Sequence, residues 1–185
     1  MKKFSEYPAN FHFVAWTKED NGEIVDYSFI DTEIGKLLIA NTPKGVCFLG
    51  FASKGEALIL EDFQHRFLCL QFREQSNDLQ KLAADYCNGA REQIISLHLK
   101  GTDFQVDIWK KLVRISEGRL STYGSLVSGF KGTQAIGTAV GANPISFIIP
   151  CHRIVKNDSS YRSYHWGSEL KRLLLAYELQ NNYGQ

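Results

Sequence analysis

The hydrophobic period of this chain changes part-way along, and that change limits what it can fold into. Short β-rich runs come first: Tyr27-Ser28-Phe29-Ile30, then Gly35, Lys36-Leu37-Leu38-Ile39-Ala40, Asn41-Thr42-Pro43-Lys44-Gly45 and Val46-Cys47-Phe48-Leu49-Gly50-Phe51. Runs of this length, cut by Gly and Asn-x-Pro signals, predict an antiparallel meander. The alternation around Phe11, Phe13 and Ala15 allows a short strand before it, and His65 to Phe72 supplies one more alternating run. The spacing then becomes helical. Leu79, Leu82, Ala83 and Tyr86 fit one helix face, with Asn77 or Asp78 placed to cap it. In the polar passage 88–103, Ile94, Ile95, Leu97 and Leu99 make a last edge strand. Everything beyond is helical in period. The expectation is an α/β (α+β) protein, with a sheet domain over residues 1–100 and a helical domain over 101–185.

In the second half, Thr102 or Asp103 caps a helix whose apolar stripe is Phe104, Ile108, Trp109, Leu112 and Val113, ending near Glu117-Gly118. A short helix after Ser121-Thr122 carries Tyr123, Leu126 and Val127, and Gly129 breaks it. The next helix, residues 133–142, has almost no side-chain bulk: Ala135, Gly137, Thr138, Ala139, Gly141 and Ala142. Helix, tight turn and lean helix together make the plan of a helix-turn-helix. Glycine costs about 1 kcal/mol in a helix interior relative to alanine, so two of them need a reason. Close packing on another helix is one reason, and entry of the backbone into a narrow nucleic-acid groove is another. A last helix from about Ser168 carries Leu170, Leu173, Leu174 and Tyr177 on its buried side, with Glu178 near its end. The helix dipole opposes a carboxylate there. Glu178 is thus either a solvated surface residue or a group that orients a histidine.

Between these helices, Asn143-Pro144-Ile145-Ser146-Phe147-Ile148-Ile149-Pro150-Cys151-His152-Arg153-Ile154-Val155 reads as a buried strand that Pro150 ends, handing Cys151 to a turn beside His152. A thiol at the rim of a core with an imidazole next door is a setting for an activated thiolate. The plainer reading makes Cys151 a small buried hydrophobe. Cys47, Cys69, Cys87 and Cys151 contain no C-x-x-C pair and give neither a metal-ligand pattern nor a disulfide framework. They read as reduced cytosolic thiols, with Cys47 and Cys69 in packing roles. No apolar run approaches a membrane span, and the start of the chain lacks the apolar segment of a signal peptide. The net charge of +1 argues against nucleic-acid binding by bulk electrostatics. Residues 101–185 nevertheless hold ten Lys/Arg against six Asp/Glu, and residues 1–100 hold eleven against fourteen. The C-terminal half is therefore the one suited to meet an anion.

The residues resemble a known family. Ile149-Pro150-Cys151-His152-Arg153-Ile154-Val155, preceded by Gly141-Ala142-Asn143-Pro144, is similar to the active-site signature of the O6-methylguanine–DNA methyltransferases. Phe104-Gln105-x-x-x-Trp109, Thr122-Tyr123-Gly124, Tyr164-x-Trp166-Gly167 and Leu174-Leu175-Ala176-Tyr177-Glu178 extend it, in order and spacing, over about residues 25–180. The resemblance implies a ribonuclease-H-like N-terminal domain with an antiparallel three-stranded sheet, and a C-terminal domain with a winged-helix-like helix-turn-helix. It also implies direct damage reversal. An O6-alkylguanine (or O4-alkylthymine) is flipped from duplex DNA, and its alkyl group moves irreversibly to Cys151, one lesion per protein molecule, with no cofactor.

By the same resemblance, Glu178 orients and charges His152, which deprotonates Cys151 through a water. Tyr123 donates to guanine N3, and Asn143 bridges the two halves of the motif. Gln134, Ala135, Thr138, Lys131, Thr122 and Arg153 fall in the DNA-binding set, and Ile154, Tyr164, His165 and Trp109 in the substrate pocket. The chain is expected to be a cytoplasmic monomer, without a metal or a membrane partner. Two features depart from the family pattern. The arginine usual seventeen residues before the cysteine is Gln134 here, and the segment from Leu126 to Gln134 is a few residues short and lacks a Gly-x-Pro turn. Both bear on base flipping and leave the thiol chemistry alone. Two rival functions are a non-catalytic relative that flags alkylguanine for other repair machinery, and a Cys-His hydrolase or thiol transferase. The first has lost its cysteine where it occurs, and the second lacks an oxyanion-hole glycine loop here.

Overall fold

The fold comes from a computed structural model that describes residues 10–68, 70–127, 132–156 and 164–183. Cys69, Gly129 and Lys131 lie outside the described residues. The chain forms two compact units, one of residues 10–101 with 144–148, the other of residues 102–143 with 149–183.

The first unit holds β1 (Phe11–Ala15), β2 (Ile24–Thr32), β3 (Gly35–Thr42), β4 (Gly45–Phe51), α1 (Glu56–Arg66), β5 (Gln71–Glu74), α2 (Asp78–Cys87) and β6 (Ile95–Leu99). Its sheet has six strands in the order β1-β6-β4-β3-β2-β5. Only β2, β3 and β4 form the expected antiparallel meander, while β1, β5 and β6 join in parallel. The sheet is therefore mixed, and β6 lies inside it between β1 and β4 instead of at an edge. Gly45 makes the β3–β4 turn possible. Its φ is +149°, and a Cβ there would sit 2.4 Å from the Ser96 carbonyl oxygen, so only glycine fits.

The alternating run expected from His65 to Phe72 is divided, since α1 extends to Arg66 and only residues 71–74 are strand. Ile59, Phe63 and Phe67 explain this. At four-residue spacing they share one helix face, all buried, with Phe63 centred 5.0 Å from Phe48 and 4.9 Å from Phe72. α2 is capped as expected, because the Asn77 side chain accepts from the backbone N–H groups of Leu79 and Gln80. The Cys47 and Cys87 thiols are fully buried; burial pushes the first far up and the second up to about 12.

The apolar run 144–148 belongs to this unit but is not a full strand. Leu49 N–H donates to Pro144 O at 2.9 Å, Ser146 N–H donates to Leu49 O at 2.9 Å, and Ile145 bridges Leu49. The ladder then stops at Phe147, whose φ is +70°. Prolines at 144 and 150 also remove two donors that a longer ladder needs.

The second unit begins with α3 (Asp103–Leu112), closed by a capping box between Thr102 and Gln105. β7 (Ser121–Thr122), α4 (Tyr123–Leu126) and α5 (Thr133–Gly141) follow. Next come a 3-10 turn (Cys151–Arg153), β8 (Ile154–Val155) and α6 (Ser168–Tyr183). β7 and β8 pair in parallel. α6 departs from expectation in two ways. Leu173 is exposed while Lys171, Leu174 and Glu178 are buried, a stripe at i, i+3 and i+7. The helix also continues to Tyr183, so Glu178 stands in its body, clear of the unfavourable end of the dipole.

Candidate active site

Pro150 delivers Cys151 as the first residue of the 3-10 turn. The turn is held by Cys151 N–H to Ile149 O at 2.8 Å and Arg153 N–H to Pro150 O at 3.0 Å. The thiol is buried. Asn143 Nδ2 donates to Cys151 Sγ at 3.1 Å and to Ile149 O at 2.8 Å, so one amide ties the end of α5 to the cysteine turn. Burial pushes the thiol up, against which the Asn143 hydrogen bond, the Lys171 charge and the Tyr164 hydroxyl act. That hydroxyl is itself buried, with no hydrogen bond of ordinary geometry, and lies near enough to the thiol for the two to raise or lower one another.

His152 Nε2 lies 2.6 Å from Glu178 Oε1, with both side chains fully buried. Burial would raise the Glu178 carboxyl, but His152 and Arg153 together bring it down to about 2. A carboxylate only accepts, so Nε2 carries the imidazole hydrogen and Nδ1 carries the lone pair. Burial lowers the His152 pKa and outweighs the pull of Glu178. Burial thus favours a neutral thiol and a neutral imidazole at rest. Lys171, which sequence reasoning missed, is buried and donates to Ile154 O. Its signal was present: a lysine on the same α6 stripe as Leu174 and Glu178.

The remaining expected residues divide. Gln134, Ala135 and Thr138 are exposed on one face of α5, which Gly141 continues, and Thr138 Oγ1 donates to Gln134 O at 3.0 Å. A Cβ at Gly141 would meet nothing within 4 Å, and at Gly137 only a Tyr123 ring carbon at 4.0 Å. Among the described residues, close packing does not account for these two glycines. Thr122 caps α4 in a capping box with Ser125, and Tyr123 opens that helix, half-buried. Tyr164 reaches the thiol, while His165 is exposed with its ring edge-on to Trp166 at 4.6 Å.

Two expectations need correction. Trp109 is buried and donates from Nε1 to Ala139 O at 2.8 Å, so it braces α3 on α5 and does not line a pocket. Arg153 is 6 % exposed and spends its guanidinium on Glu178 and Ile115 O, which removes it from the DNA-contacting set. The carbonyl oxygens of Ile154 and Cys151 accept from Lys171 Nζ and from the Ile154 N–H. Among the described residues no group of three or more His, Cys, Asp or Glu could hold a metal, and no helix is long and apolar enough to cross a membrane.

One turn thus carries a buried thiol, held by an asparagine from the end of α5, next in sequence to a buried His–Glu pair. The family described as the 6-O-methylguanine DNA methyltransferase DNA-binding domain matches residues 103–180. A methylated-DNA–protein-cysteine methyltransferase of Haemophilus influenzae is 37 % identical over 164 residues, covering 82 % of this chain and 85 % of the relative. The bifunctional transcriptional activator/DNA repair enzyme Ada of Escherichia coli is 28 % identical over 167 residues, and the chain spans 46 % of its length. A crystal structure of Mycobacterium tuberculosis O6-methylguanine methyltransferase is 28 % identical with a TM-score of 0.67, covering 84 % of this chain and 93 % of that one. A structure of the Mycobacterium tuberculosis protein in complex with DNA is 26 % identical with a TM-score of 0.58, over the same shares. The chain belongs to the methylated-DNA–protein-cysteine methyltransferase family.

Proposed function

We propose that this protein repairs duplex DNA by moving the alkyl group of O6-alkylguanine, or of O4-alkylthymine, onto its own Cys151. The observation that carries the reading is the cysteine turn itself, where Asn143 holds the thiol and Glu178 fixes the tautomer of the adjacent His152. Through a water, Nδ1 of His152 takes the thiol proton. Sulfur then displaces the base at the alkyl carbon. The new S–C bond forms as the C–O6 bond breaks, and the electron pair stays on guanine, where a proton from Tyr123 toward N3 offsets the developing charge. The thioether is not reversed, so each molecule acts once. The α5 face of Gln134, Ala135, Thr138 and Gly141 enters the minor groove, with Thr122 on the backbone, and Tyr164 and His165 close over the extruded base. The protein works as a monomer in the cytoplasm.

Gln134 has the hydrogen-bonding groups to meet the orphaned base but neither charge nor the reach of arginine. Chemistry therefore survives while extrusion is slow, or is helped by Lys131. The test is incubation with a methylated duplex followed by intact mass. A single methyl on the Cys151 peptide, absent in Cys151→Ala, supports the reading; binding without mass gain makes the protein a lesion flag instead. If Gln134→Arg transfers from duplex no faster than the native chain, the extrusion argument falls.

A further inference from the structure

Glu178 is held by two consecutive residues of one turn. His152 Nε2 meets Oε1 at 2.6 Å, while Arg153 Nε lies 3.0 Å from Oε1 and 3.1 Å from Oε2, and Arg153 Nη2 lies 2.8 Å from Oε1. The guanidinium is anchored in turn by Nη1 to Ile115 O, with Glu117 Oε1 3.6 Å from Nη2. Gly118 N–H reaches the far oxygen of Glu178 at 3.5 Å. Both oxygens of the carboxylate are thus fixed by a group that never gives up its charge. Without that clamp the carboxylate is less constrained, and can take the imidazole proton once His152 becomes charged.

We infer that Arg153 is a positioning residue of the transfer reaction: it locks Glu178 as a two-point anchor that fixes the lone pair of His152 on Nδ1, while its own positive charge opposes an imidazolium until the thiol gives up its proton. The inference rests on His152 being the base. Among the described residues, the charged or titratable groups around this pair include Cys151 and Arg153 on the turn, Tyr164 before α6, Lys171 and Glu178 on α6, and Glu117 after α3. Arg153 and Lys171 both oppose a charged imidazole and Glu178 favours it, so the two cations set the balance. Burial explains why Arg153 acts inward although its neighbours in sequence suggest a phosphate contact.

The full chain allows a test without DNA. Iodoacetamide alkylates Cys151 in one displacement that forms an S–C bond, expels iodide and consumes the thiolate left after proton transfer. The rate is followed by mass on the Cys151 peptide as a function of pH, with thermal stability measured beside it. Arg153→Met should move the acid limb of the profile up by about one pH unit, the low end for loss of a close charge, and slow the reaction at neutral pH. Arg153→Lys should keep the limb near its native position. Where Arg153→Met does not fold, Arg153→Gln keeps amide donors without the charge and should move the limb in the same direction. A folded Met or Gln variant whose profile overlays the native one overturns the proposal, even if it melts earlier. His152→Ala separates the two readings. If the native acid limb survives in it, the base assignment fails; if the limb vanishes there but does not move without Arg153, only the arginine inference fails.

Discussion

Each unit of this protein buries a carboxylate beside a histidine and sets a cation against that carboxylate, and the two sets differ in what the rest of the imidazole meets. In the N-terminal unit, Asp20 and His98 are fully buried, Lys44 bonds Asp20, and His98 Nε2 lies 3.4 Å from Asp20 Oδ2. His98 Nδ1 is taken by Thr42 Oγ1 at 2.7 Å, and Trp16 stacks on the ring with centroids 4.5 Å apart. In the C-terminal unit, His152 meets Glu178 at 2.6 Å and its backbone neighbour is Cys151. The N-terminal imidazole has Nδ1 hydrogen-bonded to Thr42 and Nε2 3.4 Å from Asp20, and its cation, Lys44, is partly in solvent. The C-terminal imidazole has one nitrogen tied tightly and sits beside a thiol. A buried Asp/Glu–His pair is therefore not itself a catalytic signature. What lies at the other nitrogen decides its role.

The largest effect should come from exchanging the two histidines in turn. His152→Asn should slow S-alkylation of Cys151 by about 10²–10⁴, the usual cost of losing a general base. His98→Asn should leave that rate near native and lower stability by roughly 1–3 kcal/mol, the cost of disrupting a buried hydrogen-bonded group. For a chain of this size that is about 2–4 °C in Tm per kcal/mol. A folded His98→Asn protein that cannot transfer an alkyl group would break the comparison.

The two clusters also differ in how readable they were. Cys151, His152, Asn143 and Glu178 stand in a motif whose order and spacing resemble a known family, and the structure hydrogen-bonds them in two pairs, Asn143 with Cys151 and His152 with Glu178. Asp20, Thr42 and His98 have no such frame, since their meeting depends on strand register far along the chain. Arg153 was misjudged for a similar reason. Its partner Glu178 is 25 residues away, and nothing local says that a guanidinium turns inward. Trp109 and Lys171 repeat the lesson, because a helical stripe tells which face is buried but not what a polar tip meets there. α1 was missed because its start, Gly55, has no side-chain cap and Leu58 spoils its amphipathic pattern by facing solvent.

Acid sharpens the comparison further. The Glu178 carboxyl falls from 4.5 to about 2 on folding, and that of Asp20 also falls well below its ordinary value. A lowered carboxyl adds stability above its unfolded value and loses it as pH drops through the folded one. For Glu178 the loss is on the order of 3 kcal/mol between pH 4.5 and 2. His98 and His152 are both lowered by burial, so the unfolded chain takes their protons first and stability already declines as pH falls below 6.5. Glu178→Gln leaves Arg153 buried without its main counter-charge and should cost about 3–5 kcal/mol at neutral pH. Its stability should then depend less on pH below 4.5. Acid titration of both proteins by tryptophan fluorescence checks this, and an unchanged slope would assign the acid response to Asp20 instead.

The smallest effect tests whether α5 is shaped by the chain or by its partner. Gly137 sits inside the helix with room for a methyl group, its nearest contact being the Tyr123 ring at 4.0 Å. Gly137→Ala should therefore stabilise the protein by about 0.5–1 kcal/mol, since alanine is the better helix former and nothing clashes. If the lean face exists to enter a groove, the same methyl group should slow transfer from duplex while leaving the reaction of Cys151 with iodoacetamide unchanged. Opposite signs for stability and duplex transfer mark a residue kept for an external surface. A gain in both would mean that the glycine serves neither packing nor the groove, and the α5 face would lose its strongest physical support as the DNA-reading element.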